Sequence, residues 1–232
     1  MLARLFRGLL YVVLGWLVLS FAVVLLLRWV DPPTSAFMLR EQVGAWWNDD
    51  EKFVLRQRWV DWSQIAAPMK VAVIASEDQA FPEHNGFDFQ QINKALEQRE
   101  RGRRSRGAST ISQQVAKNLF LWSGRSWLRK GLEAFYTVLI EWLWPKQRIL
   151  EVYLNIAEFG TGTFGVGAAS ELFFRKPAAR LSTPDAALLA TVLPSPKRMR
   201  VAAPSRYMKR RQQQIMAQMS MLGGRALLKR LE

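Results

Sequence analysis

The hydrophobic pattern of the chain divides it sharply. From Gly8 to Leu27 it reads GLLYVVLGWLVLSFAVVLLL, without a charge, with Arg4 and Arg7 before the run and Arg28 after it. Twenty residues rising about 1.5 Å each match a hydrocarbon layer about 30 Å thick. A helix apolar on every face over that length belongs in lipid rather than in a soluble core. A cleavable secretory signal would have an apolar stretch of about 7–15 residues ending in small residues. This run ends LLLRWVDPP, so it reads as an uncleaved anchor. Arg4 and Arg7 place the N-terminus in the cytoplasm by the positive-inside rule, and residues from about Trp29 onward on the other side. Arg28 and the basic downstream region do not reverse this, because large domains translocate largely regardless of charge.

Beyond the anchor the pattern changes period. Asp31-Pro32-Pro33-Thr34-Ser35 breaks the helix and opens a linker. Residues from about 38 to 68 are mixed and aromatic. Val71 to Ala75 is a short apolar run ahead of Glu77. Asp88 with Gln91 predicts a capped helix to about Arg99. A basic, glycine-containing loop follows at Arg101–Gly107. Thr110 with Gln113 predicts a second capping box. The helix after it sets Ile111, Val115 and Leu119 on one face and Thr110, Gln113, Gln114 and Lys117 on the other. Trp127 to Trp144 predicts a long helix stopped by Pro145. Lys146 to about Glu158 is apolar nearly all round and therefore central, with Gly160 as its C-cap. Glycines 160, 162, 165 and 167 read as a flexible turn. Ser182 or Thr183 caps a last core helix through Leu193. A basic helix with Met and Leu on one side begins at Arg206. No internal repeat and no convincing strand pair is visible, so the fold class is mainly α.

Composition narrows the chemistry. The chain has 232 residues and no cysteine, which removes disulfides, thiolate metal sites and a cysteine nucleophile. A single histidine, His84, argues against a His-based metal cage and a Ser-His-Asp triad. The net charge is +14, from 33 Lys and Arg against 19 Asp and Glu. Such a surface attracts polyanions. For a domain anchored outside the cytoplasmic membrane, anionic headgroups and lipid-linked phosphates are more reachable than nucleic acid. Of ten tryptophans, Trp29, Trp46, Trp47, Trp59 and Trp62 follow the anchor closely. Two placements are open for them: the lipid interface, which favours indole, or ordinary core packing.

Three segments depart from helical filler. In the first, Glu77 and Asp78 follow an apolar run. A carboxylate at an apolar wall can have its pKa raised by desolvation, which suits proton transfer. From chemistry alone an exposed pair at a helix end is the better reading. In the second, Arg106 to Asn118, small residues at a helix N-terminus leave backbone N–H groups that can face an anion. The polar face there presents two amides and an ammonium, and a capped surface helix is the bland alternative. In the third, Arg125 to Glu133, cations surround one carboxylate. They can hold a pyrophosphate and keep Glu133 ionised, or form a solvated ion pair worth a few tenths of a kcal/mol.

Taken in order, the segments resemble the peptidoglycan glycosyltransferases of family 51, the glycosyltransferase domain of class A penicillin-binding proteins in its stand-alone form. The resemblance rests on EDxxFxxHxGFD at Glu77–Asp88, GxSTIxQQxxKN at Gly107–Asn118, RKxxE at Arg129–Glu133 and KxxILExYLN at Lys146–Asn155. It runs on through the Gly-rich turn and the Asp185–Ala190 helix. It covers about residues 50 to 205, and no transpeptidase domain follows before Glu232.

The resemblance implies a lysozyme-like helical large lobe with a small membrane-proximal lobe. It implies polymerisation of lipid II into glycan strands, with inversion and release of undecaprenyl pyrophosphate. Glu77 matches the catalytic base and Glu133 the second carboxylate. Lys117, Arg125, Arg129 and Lys130 match cations near the pyrophosphate. Ser109, Gln113, Gln114 and Asn118 match positions lining the donor cleft, and Asp78, Phe81, His84 and Thr110 complete the substrate-binding set. No metal-ligating residues are assigned, although a divalent cation, Mg2+ or Mn2+, at the pyrophosphate fits the family. Leu132 stands where some relatives carry a cation, and Phe164 and Phe173 where many carry Tyr.

The expected organisation is a cytoplasmic tail (1–7), an anchor (8–30), a juxtamembrane linker (31–49), a catalytic domain (50–205) and a basic C-terminal helix (206–232). The expected location is a bacterial inner membrane, single-pass, with the domain outside. Expected partners are lipid II, the growing lipid-linked glycan, the membrane, and cell-wall synthesis or division proteins, but not nucleic acid. Two rivals stand beside this reading. A lysozyme-like lytic enzyme would share a catalytic Glu but needs no pyrophosphate site. A non-catalytic anchored binder of anionic lipid needs the charge but not Glu77.

Overall fold

The structure, a computed structural model, describes residues 2–102, 109–124 and 126–231. Most of the basic loop expected at Arg101–Gly107, from Arg103 on, lies outside the described residues, as does Arg125.

The described chain is mainly helical. Helix α1 runs Leu2–Leu26, and its 23-residue stretch Arg4–Leu26 is long and apolar enough to cross a membrane. The juxtamembrane stretch contains a second helix, α2 (Ala36–Trp47), whose N-cap Ser35 accepts from the Met38 amide. Helix α3 spans Ala67–Glu77, with Pro68 in its first turn, where a missing N–H costs nothing. Every residue from Met69 to Ala75 is buried. The helix therefore passes through the centre of the molecule, and Glu77 is its last residue, where the chain emerges from the core.

Helices α4 (Phe89–Glu100), α5 (Ile111–Phe120), α6 (Trp127–Leu143) and α7 (Lys146–Ile156) follow. Both capping signals hold: the Gln91 amide donates to Asp88 Oδ1, and Thr110 and Gln113 form a reciprocal capping box. Helix α5 packs between α6 and α7, and α3 lies against α9 (Thr183–Val192) and α10 (Arg206–Met221). Ser182 is the α9 cap. The basic helix α10 buries Met208, Ile215 and Met219, so its apolar side completes the core around α3.

Three expectations are corrected. Helix α7 ends at Ile156 with Ala157 as C-cap, two residues short of Glu158, and Gly160 lies in a strand. A small sheet exists: β1 (Arg56–Gln57) pairs in parallel with β3 (Thr163–Phe164), which pairs antiparallel with β2 (Glu158–Gly160). Its strands are two or three residues long, too short to show an alternating pattern. Asn155 makes the junction. Its amide bonds both the N–H and the C=O of Val60, at 2.8 and 2.9 Å. The glycines expected to make a flexible turn are ordered instead. Gly165 has φ +78°, and a Cβ there would sit 2.6 Å from the Asn155 carbonyl oxygen. That crowding and the positive φ demand glycine where α8 (Gly165–Phe174) begins.

The anchor is docked against the domain. The Trp16 ring lies tilted against Phe135, with centroids 5.0 Å apart, and Ser20 Oγ lies 3.1 Å from Tyr136 Oη. The Trp144 indole donates to the Val24 carbonyl at 2.7 Å. Arg148 donates to the Leu27 and Val30 carbonyls and to Asp31. Its guanidinium thus satisfies the orphan carbonyls at the C-terminal end of α1 and complements the helix dipole there.

Candidate active site

Glu77 sits half-buried at the end of α3. Its Oε2 accepts from Gln114 Nε2 at 3.0 Å, and Gln114 Oε1 accepts from the Tyr153 hydroxyl at 3.2 Å. The buried phenol, held on α7, fixes which end of the amide faces the carboxylate. Burial pushes the Glu77 pKa above the ordinary carboxylate value; Gln114, Arg211 and Lys117 oppose the rise and Asp78 adds to it. The carboxylate is thus poised as a base stronger than a solvated glutamate.

Asp78, next in sequence, does something else. It is buried, and both its oxygens accept from His84 Nε2 at 3.0 Å. Oδ2 also accepts from the Ile111 amide at 2.9 Å. The expected anion at the N-terminus of α5 is therefore a side chain of the protein, which corrects the view of that helix end as a free anion site. His84 Nδ1 accepts from the Gly86 amide, and Thr110 Oγ1 donates to the Gly86 carbonyl at 2.6 Å. Lys146 reaches the His84 carbonyl and Glu141, and Ser112 donates to Glu141. Phe81 is fully buried beneath this loop. Asp78, Phe81, His84, Thr110 and Gln113 thus hold the 78–88 loop against α5 from behind Glu77. Gln113, placed on the polar face by its spacing, is buried and spent on the cap. Ser109 is exposed immediately before the cap.

A second carboxylate lies on α6. Glu133 is 2 % exposed, with Arg129 Nη1 and Lys130 Nζ each 2.5 Å from one of its oxygens. This is a buried cluster rather than a solvated surface pair. Arg129 is held further by its Nε donating to the Gly124 carbonyl at 2.8 Å. Lys130 is 43 % exposed and keeps donors free for a ligand. Lys117, on α5, lies between the two carboxylates. Burial lowers its pKa, Glu133 and Glu77 oppose the fall, and Arg129 and Lys130 add to it. The third expected cation, Arg125, lies outside the described residues.

A cavity of about 250 Å³ opens beside Lys117, lined also by Gln114, Asn118, Tyr153, Glu158 and Phe37. Four members of this neighbourhood were not singled out from the sequence. Tyr153 had a signal, a lone phenol inside an otherwise apolar motif. Phe37 comes from α2, Glu158 from β2 and Arg211 from α10, all delivered by tertiary packing. Burial raises the Glu158 pKa, with Lys197 opposing and Glu41 adding to it.

A buried carboxylate at the end of a core helix, an amide relay onto it, and a second carboxylate caged by cations across one lysine form a site of defined chemistry. A family model described as Transglycosylase matches residues 48–220. The chain belongs to the transglycosylase family. Among its relatives, a biosynthetic peptidoglycan transglycosylase of Pseudomonas aeruginosa is 53% identical over 232 residues, the full length of both chains. One from Klebsiella oxytoca is 55% identical over 224 residues, 96% of this chain and 93% of that one. One from Xanthomonas oryzae is 56% identical over 205 residues, 88% of this chain and 84% of that one. Phe164 is buried against the cavity of this transglycosylase and brings no hydroxyl there. The donor set does not build a divalent-cation site. Both Glu133 oxygens are engaged by cations, and among the described residues no three His, Cys, Asp or Glu side chains cluster.

Proposed function

We propose that this transglycosylase is a peptidoglycan glycosyltransferase that polymerises lipid II into linear glycan strands at the outer face of a bacterial inner membrane. Glu77 removes the proton from the acceptor sugar's 4-hydroxyl as that oxygen attacks the anomeric carbon of the donor. The new glycosidic bond forms with inversion as the bond from the anomeric carbon to the phosphate oxygen breaks, and undecaprenyl pyrophosphate leaves with the electron pair. Lys117, Arg129 and Lys130 bind the developing diphosphate charge. Glu133 holds Arg129 and Lys130 in place, so that the cluster meets the substrate already ordered.

The observation that carries this reading is the contrast across Lys117, with one carboxylate short of cations and its pKa raised, and the other caged by them. A lytic enzyme has no use for the second arrangement. An anionic-lipid binder has no use for the first. The apolar helix α1 places enzyme and lipid-linked substrate in one layer, with the N-terminus cytoplasmic by the charge argument. Partners among cell-wall synthesis and division proteins belong to the same reading. The test is product analysis with purified full-length protein and lipid II. Glycan strands growing from lipid II support the reading, whereas cleavage of finished glycan without growth overturns it.

A further inference from the structure

Helix α2 is amphipathic in an unusual sense: both of its sides are apolar. Its inner side buries Met38 and sets Phe37 in the wall of the cavity beside Lys117. Its outer side carries Leu39, Val43, Trp46 and Trp47, exposed by 49 %, 57 %, 75 % and 78 %. These positions, i, i+4, i+7 and i+8, form one stripe along the helix. Two exposed tryptophans on one short helix are costly in water and have no partner in the described chain beyond each other.

The surroundings say what covers the stripe. Arg148 fixes the exit of α1 onto the domain through Leu27, Val30 and Asp31, and α2 begins at Ala36, a few residues on. Trp29 and Val30, between the two helices, are also exposed. Exposed apolar side chains thus lie on both sides of the short turn that joins the lipid-spanning helix to α2. Indole is favoured where hydrocarbon meets headgroups. A second copy of the chain is a poor fit, since one side of a helix of about three turns is well short of the roughly 800 Å² per partner that a stable interface needs. On the inner side, Glu41 is paired with Lys197, 156 residues on in sequence, so the helix is clamped to the domain.

We infer that α2 lies in the outer headgroup boundary of the bilayer, with Leu39, Val43, Trp46 and Trp47 in lipid, so that the membrane itself supports the Phe37 wall of the catalytic cavity. The inference rests on the membrane placement proposed above. The contact is apolar: Arg40, the one cation on α2, is paired with Glu41, and Asp49, Asp50 and Glu51 follow the C-cap Asn48, so anionic headgroups contribute little attraction there and high salt leaves the contact intact.

The chain has no cysteine, so single cysteines can carry an environment-sensitive fluorophore in the full-length protein. Val43→Cys reports on α2 and Leu14→Cys on the anchor, in phosphatidylethanolamine–phosphatidylglycerol vesicles doped with brominated lipid. The expected result is quenching at both sites, with that at position 43 strongest for bromines near the headgroup and unchanged in 1 M salt. Quenching at 14 but not at 43 overturns the α2 inference alone, and quenching at neither overturns the membrane placement as well. A blue shift at 43 without quenching, lost on dilution of protein among vesicles, assigns the stripe to a second copy and also overturns it. As a functional arm, Trp46→Ala with Trp47→Ala should slow lipid II polymerisation several-fold in vesicles while leaving the detergent-micelle rate within twofold. An equal loss in both media overturns the link between bilayer and cavity.

Discussion

The two carboxylates of the cleft, Glu77 and Glu133, are the same residue type, both withdrawn from solvent, and they are built for opposite tasks. Glu77 ends a core helix and receives one neutral amide, from Gln114, so burial dominates and its pKa rises. Glu133 sits inside α6 with a guanidinium and an ammonium on its two oxygens. The difference lies in the neighbours. Glu77 is bonded by a dipole and Glu133 by full charges, so the first is left to take a proton from substrate while the second anchors its cations.

The largest expected effect breaks the Glu77 side. Glu77→Gln keeps shape and removes the base, and lipid II polymerisation should fall by roughly 10²–10⁴-fold, the usual contribution of general base catalysis. Folding should persist, so a substrate-binding signal with no chain growth is the expected pattern in a gel-based polymerisation assay.

The other side should break by a smaller factor. Lys117→Ala should slow polymerisation by about 10²-fold, as for loss of one preorganised charge donor, while Lys229→Ala, exposed at the C-terminal end, leaves the rate unchanged. Equal small losses at both lysines in initial-rate measurements would mean that the charge acts only as a diffuse attractant.

A finer change sharpens the contrast. Gln114→Met removes the hydrogen bond that holds the Glu77 pKa down, so the acidic limb of the kcat/KM profile should move to higher pH. The smallest effect is on stability. The folded-state pKa of Glu77 is raised, so the protein is most stable with this group protonated and loses that contribution as pH rises through the folded value. Glu77→Gln, permanently uncharged, should therefore melt higher than the parent near neutral pH, and the gain should vanish in acid. Differential scanning calorimetry at two pH values checks it.

How much of this was legible in the sequence follows from the range of each interaction. The capping pairs Asp88–Gln91 and Thr110–Gln113 are three apart, and the cation cage of Glu133 spans one helical turn, so spacing revealed them, whereas the α9 cap stayed open between Ser182 and Thr183 until the structure placed it on Ser182. The apolar anchor was legible for the same reason. Its docking was not, because Trp144 and Arg148 meet it more than a hundred residues away in sequence. Asp78 was expected to be exposed beside Glu77 or to bind substrate. Only the fold shows it turned inward to His84 and the Ile111 amide. The two- and three-residue strands carried no periodic signal, and Phe37, Glu158 and Arg211 reach the site only because three separate elements converge on it.

The central claim is that burial, only partly offset by Arg211 and Lys117, makes Glu77 the base. The most direct measurement is the pH dependence of kcat/KM for lipid II in the parent and in Glu133→Gln. The account predicts an acidic limb above the ordinary glutamate range in the parent, retained in Glu133→Gln at a much lower plateau rate. A limb that lies at the ordinary carboxylate value in the parent, or that disappears with Glu133 rather than Glu77, would contradict it.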